Sequence, residues 1–180
     1  RLAGFMAKLN ELDNTEIHQP IHCFNRVALQ NFGIKDSQGR TLLNNINIEL
    51  KNGDALLIKG PSGAGKTTLL KAIAGIYPFE TTGCAEHPCS TSLFLPQRPY
   101  MPQGTLREAI CYPDIHAADN ELINAMKDCC LEKYISALDL ENDWQVILSP
   151  GELQRVAFIR ILLSKPDVVF LDETSSALDE

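Results

Sequence analysis

The chain has 180 residues, 44% of them hydrophobic, and a formal net charge of −7. That length and apolar content allow one substantial core, while the acidic balance and the lack of a Lys/Arg cluster exclude a nucleic-acid groove, since phosphate backbones are bound by clustered cations. Cys23, Cys84, Cys89, Cys111, Cys129 and Cys130 form no C-x-x-C pair and have no histidine at zinc spacing, so they read as reduced thiols rather than a protein-only metal site.

Leu2, Phe5, Met6, Leu9 and Leu12 recur at helical spacing and predict a helix within residues 1–20. Because the chain opens on Arg1, this helix is expected either to lead in from a preceding segment or to pack on the domain. Val27–Ile34 and Asn45–Leu50 read as strands of an antiparallel edge sheet, with Phe32 in the core. Ala55–Lys59 is expected to be a strand, followed by a helix over Lys66–Ala74. Tyr77–Ser90, with its Gly and Pro, reads as a connection, and Leu93–Leu95 as a strand. From Leu106 to Leu140 the pattern is helical, with Leu122, Ile123, Ala125 and Met126, then Tyr134, Ile135 and Leu138, as core stripes. No stretch approaches the roughly twenty apolar residues of a membrane span. Neither a signal peptide nor an internal repeat is evident.

Gly60-Pro61-Ser62-Gly63-Ala64-Gly65-Lys66-Thr67 fits G-x-x-x-x-G-K-[ST] between the apolar run and the helix. Glycines there let backbone N–H groups turn inward around a polyphosphate. Lys66 reaches the terminal phosphates and the Thr67 hydroxyl can ligate Mg²⁺, with Thr68 beside it at a helix N-terminus whose dipole favours anions. A nucleoside triphosphate is the expected ligand.

Val168-Val169-Phe170-Leu171 is a short apolar run ending in Asp172-Glu173, which reads as a buried parallel strand carrying carboxylates to a sheet edge. Asp172 is expected to hold Mg²⁺, and Glu173 to polarise the attacking water. Between the two motifs, Ser149 at the N-cap, Pro150 at N1 and Glu152 at N3 predict a capping box, followed by Leu153, Val156, Ala157, Arg160 and Ile161 at helical spacing. With Gly151 in its first turn, such a tip is also an anion receptor.

Leu148–Arg155, the apolar helix after it, Val168–Glu173 and Ser176-Ala177-Leu178-Asp179 together resemble the signature, Walker B and D-loop series of ATP-binding-cassette (ABC) ATPases, in order and spacing, from about Val27 to Glu180. Leu93–Tyr100, Gly104–Ile110, Tyr112-Pro113 and Asp143-Trp144 are similar to a subgroup: the peroxisomal fatty-acyl transporters and bacterial relatives that import peptides or vitamin B12. The resemblance implies an α/β P-loop NTPase (RecA-like) core over residues 21–180, with an antiparallel β subdomain and a helical insert at about 105–163. It further implies that residues 1–20 follow a membrane-spanning domain of the same parent chain, at the cytoplasmic face of a membrane, most simply a bacterial inner membrane.

Mechanistically, the resemblance implies a head-to-tail homodimer with ATP and Mg²⁺ in each interface. Gly60–Thr67, Gln97, Asp172 and Glu173 of one subunit would face Ser149 and Gly151 of the other, Gln97 would touch Mg²⁺ and the lytic water, and Asp179 would couple the sites. Three departures stand out. Pro150 and Leu153 replace residues common in the family signature, no aromatic in Gly33–Gly39 is placed to stack adenine, and the switch histidine expected beyond the D-loop is absent from these residues. As given, the piece is expected to bind ATP yet turn it over poorly. The transport reading competes with a soluble ABC ATPase of repair or translation, and with a non-catalytic nucleotide-sensing module.

Overall fold

Val27, Leu29, Phe32 and Ile34 cannot all share a face in a strictly alternating strand, because Phe32 lies an odd three positions after Leu29. One extra residue solves this. In the computed structural model, which describes residues 22–23, 26–87 and 91–173, strand β2 (Val27–Lys35) carries a bulge at Asn31. Asn31 has φ 48, a left-handed conformation that Asn tolerates, and its N–H donates to Asn47 Oδ1 at 2.9 Å. Strand β3 (Thr41–Leu50) repeats the device at Asn45, φ 53, which keeps Leu43 in phase with Ile46, Ile48 and Leu50.

The chain divides into two units, residues 1–90 and 91–180. In the first, β1 (His22–Cys23), β2, β3 and β4 (Thr81–His87) form a sheet of order β1-β4-β2-β3. Only β1 and β4 run parallel; the other pairs are antiparallel. Arg26 ties three strands by donating to Glu86 at 2.9 Å and Glu49 at 3.0 Å. Phe32, Ile34 and Leu29 are buried in this unit, as are Leu69, Ala72 and Ile73 of helix α1 (Lys66–Ile73).

Two expectations are corrected here. Tyr77–Ser90 is not a plain connection, since it holds β4, an inner strand of the sheet. Its sequence hides this: Thr81-Thr82-Gly83-Cys84-Ala85-Glu86-His87 has no apolar run, and the strand is specified by pairing with β2. Ala55–Lys59 does not form a strand. A fully buried parallel strand needs a neighbour to accept its ladder, and among the described residues this run has no ladder partner; Leu57 is 74% exposed.

The second unit pairs β5 (Ser92–Leu95) with β8 (Val168–Leu171) in parallel, Leu93 opposite Val169 and Leu95 opposite Leu171. Between them run β6 (Gly104–Thr105), α2 (Leu106–Ile110), α3 (Asp119–Asp128), a 3₁₀ turn (Glu132–Ala137), β7 (Glu141–Asn142), α4 (Trp144–Ile147) and α5 (Pro150–Ser164). The apolar stripes of the sequence meet in one cluster, where Leu122, Met126, Val156 and Ile159 are fully buried and Trp144 packs edge-on against Tyr134. Thr105 and Glu108 form a capping box on α2.

Gly83 sits at φ +80 opposite the β2 bulge, where an added Cβ would collide with backbone carbonyls of Asn31 and Gln30, the latter at 2.6 Å. Neither atom can give way without breaking the ladder. Gly83→Ala is therefore expected to cost about 2–4 kcal/mol from combined steric and left-handed strain, read as a lowered midpoint in denaturant unfolding.

Candidate functional site

In the first unit, Gly60–Thr67 is an exposed loop in which Gly63 (φ +78) and Gly65 (φ +88) adopt left-handed backbone. Gly65 is the N-cap of α1, with no side chain to occupy the orphan amides and no acidic residue in the first turn. The positive end of the helix is thus left for an external anion. Lys66 Nζ donates to the carbonyls of Gly60 and Pro61, both at 3.0 Å, which holds the ammonium across the loop. Thr67 and Thr68 open α1 and are half-buried.

In the second unit, the parallel register of β5 and β8 carries Gln97, Asp172 and Glu173 to the same, carboxyl end of both strands. Asp172 N–H donates to Leu95 O at 3.0 Å, which carries the β5–β8 pairing one residue beyond β8, and the residue is buried. Gln97 Nε2 donates to Glu173 Oε2 at 2.9 Å. Two motifs 76 residues apart thereby meet. Glu173 has φ 50, the sharp turn that follows the strand.

The tip of α5 has the predicted capping box: Glu152 N–H donates to Ser149 Oγ at 3.3 Å, and Ser149 N–H to Glu152 Oε2 at 2.8 Å. Ser149 and Pro150 are exposed and Gly151 half-buried, whereas Glu152 lies inside beneath them. Tyr134 donates to Glu152 Oε1 at 3.1 Å and Lys133 Nζ lies 2.6 Å from it. Burial pushes the Glu152 carboxyl upward, but Lys133, both Ser149 donors and Tyr134 outweigh it and hold the pKa down at about 2.

The structure thus places Gly60–Gly65 in one loop that runs directly into Lys66, Thr67 and Thr68 at the start of α1, and brings Gln97, Asp172 and Glu173 to one strand end. Asp179 lies outside the described residues. Sequence reading gave no role to Gln154, whose Nε2 donates to Gln97 O at 2.5 Å, or to buried Arg160. The available signal was a Gln and an Arg on the core side of an apolar helix. Phe32, 1% exposed, is a core residue as expected.

The model of the family described as ABC transporter matches residues 43–176. An uncharacterized ABC transporter ATP-binding protein of Haemophilus influenzae is 74% identical over the whole chain, which covers 31% of that protein. The human lysosomal cobalamin transporter ABCD4 is 35% identical over 80% of the chain and 26% of its own length. Among solved structures, a bacterial Atm1-family ABC exporter with ATP bound is 28% identical with TM-score 0.75, over 97% of this chain and 35% of that one. The chain belongs to the ABC transporter family and is an ATP-binding domain with that family's α/β fold. It spans about a third or less of the length of these relatives.

Because the Glu152 carboxyl titrates near 2 rather than at its ordinary 4.5, it adds stability above about pH 4.5 that is lost as the pH falls toward 2. Glu152→Ala removes the carboxylate half of the capping box and leaves the Tyr134 hydroxyl and Ser149 N–H without this acceptor, at a cost of about 2 kcal/mol. Denaturant titrations of both forms are expected to differ at pH 6 and to converge as the pH approaches 2.

Proposed function

We propose that this domain binds and hydrolyses ATP with Mg²⁺ in a head-to-tail dimer, and that the cycle drives solute movement by a membrane-spanning portion of the full-length protein, from the cytoplasmic face of a bacterial inner membrane. The observation that carries the proposal is the tip of α5, where Ser149 reaches the surface on a first turn that the buried Glu152 holds in shape from within. A triphosphate held by one subunit supplies the charge such a tip is built to receive.

On this reading, the Gly60–Thr67 loop wraps the phosphates with inward N–H groups, and Lys66 exchanges its two carbonyl partners for phosphate oxygens. The family implies Mg²⁺, and Thr67, Asp172 and Gln97 are the hard oxygen donors that would hold it; when bound, it neutralises charge between the terminal phosphates. Glu173, oriented by its hydrogen bond from Gln97, accepts a proton from the attacking water. Ser149 and Gly151 of the second subunit donate to the terminal phosphate. Loss of that phosphate removes the contacts that favour the closed pair, so hydrolysis reopens it. The ABCD4 likeness supports a transport role of the sub-family D kind.

In the full-length protein, Lys66→Ala is expected to lower ATP affinity at least 100-fold in a labelled-nucleotide titration. Glu173→Gln is expected to retain ATP binding, lose at least 100-fold in kcat, and accumulate an ATP-dependent dimer by size-exclusion chromatography. Turnover at the unsubstituted rate in that variant would remove Glu173 from the mechanism. Adding Ser149→Arg to Glu173→Gln should abolish the dimer; persistence of the dimer would sink the sandwich.

A further inference from the structure

Arg160 lies in the middle of α5, only 6% exposed, and none of its partners among the described residues is a carboxylate. Its Nη2 donates to Tyr100 O at 2.8 Å and Ala109 O at 2.6 Å, and touches Met101 Sδ at 3.6 Å. The guanidinium lies 5.7 Å from the centre of the Tyr112 ring. Ala109 is in the last turn of α2, where carbonyls lack helical partners and the dipole favours a cation. Arg160 Nε is buried without a partner, and burial pulls the pKa of the group down. Such a charge is costly to keep, and all it holds is one stretch of chain: Tyr100 to Tyr112.

Six residues earlier on α5, Gln154 Nε2 donates to Gln97 O at 2.5 Å. The same helix therefore grips the Gln97 segment at its start and along its length. Gln97 itself is bonded to Glu173 at 2.9 Å. At the other extreme, α5 begins with the exposed Ser149 cap.

We propose that Arg160 and Gln154 are positioning residues that lock the Gln97–Tyr112 segment onto α5, so that the Ser149 tip offered to one nucleotide and the Gln97 side chain serving the other move as one body. The inference rests on the functional reading above for the roles of Ser149 and Gln97, and on the observed hydrogen bonds for the lock. Within a dimer, closure of α5 on the partner's nucleotide would shift Gln97 against Glu173 in its own site. Each site would then report its state to the other through a rigid helix rather than through diffuse packing.

Arg160→Met is the telling variant, because an apolar side chain of similar length replaces a buried charge at little or no cost in stability. In the full-length protein in lipid nanodiscs, amides of residues 97–112 should exchange at least 10-fold faster, while those of α5 keep their protection. The kcat for ATP should fall on the order of 10- to 100-fold with KM changed less than twofold, as expected when a catalytic group is misplaced rather than removed. Gln154→Ala should give the same signature with exchange concentrated near Gln97, and Arg160→Lys should restore part of the kcat. Unchanged exchange in 97–112 overturns the lock, as does loosening that spreads through α5. Faster exchange with unsubstituted kcat overturns the positioning role. If the unsubstituted protein does not hydrolyse ATP, the functional reading fails, while the exchange measurement still decides the lock.

Discussion

The first turn of α5, proposed above as a phosphate contact, is kept in shape from within by the buried carboxylate of Glu152. It accepts from the Ser149 N–H, from Tyr134 and from Lys133, and its own N–H donates to Ser149 Oγ. The tip is held firmly because the carboxylate that stabilises it is paired and buried beneath the surface.

The same helix shows how polar groups on an apolar face become structural. Gln154 and Arg160 sit among Leu153, Val156, Ala157 and Ile159, and each is directed at backbone carbonyls of the Gln97–Tyr112 segment. A purely apolar face would pack this segment but fix it loosely, since dispersion contacts are non-directional. Hydrogen bonds to named carbonyls fix its register. The catalytic Gln97 proposed here is thus located by α5 through its backbone and by Glu173 through its side chain.

Chemistry at the second unit's strand edge follows from register alone. Parallel pairing of β5 and β8 puts the residues after Leu95 beside those after Leu171, and this is enough to bring an amide and two carboxylates to one edge. In the first unit, register is managed by single-residue bulges at Asn31 and Asn45, with Gly83 supplying the clearance a bulged neighbour requires.

The amino-acid order by itself determined whatever is written over a few residues: the Gly60–Thr67 loop with its helix, the Ser149–Glu152 box, the Val168–Leu171 strand with its acids, and the apolar stripes around Leu122 and Met126. These depend on local backbone geometry, capping and periodicity, which neighbours in sequence suffice to set. Tertiary structure alone decided the rest. Strand β4 exists because β2 pairs with it, although Thr81–His87 carries no strand pattern, and Ala55–Lys59 has no ladder partner among the described residues although its pattern is that of a strand. Gln97 finds Glu173, Glu152 finds Lys133 and Tyr134, and Arg160 finds Ala109 only once the chain is packed. Such bonds join residues whose separation in sequence bears no relation to their separation in space, and a buried donor or carboxylate declares its purpose only through the partner that burial forces it to have.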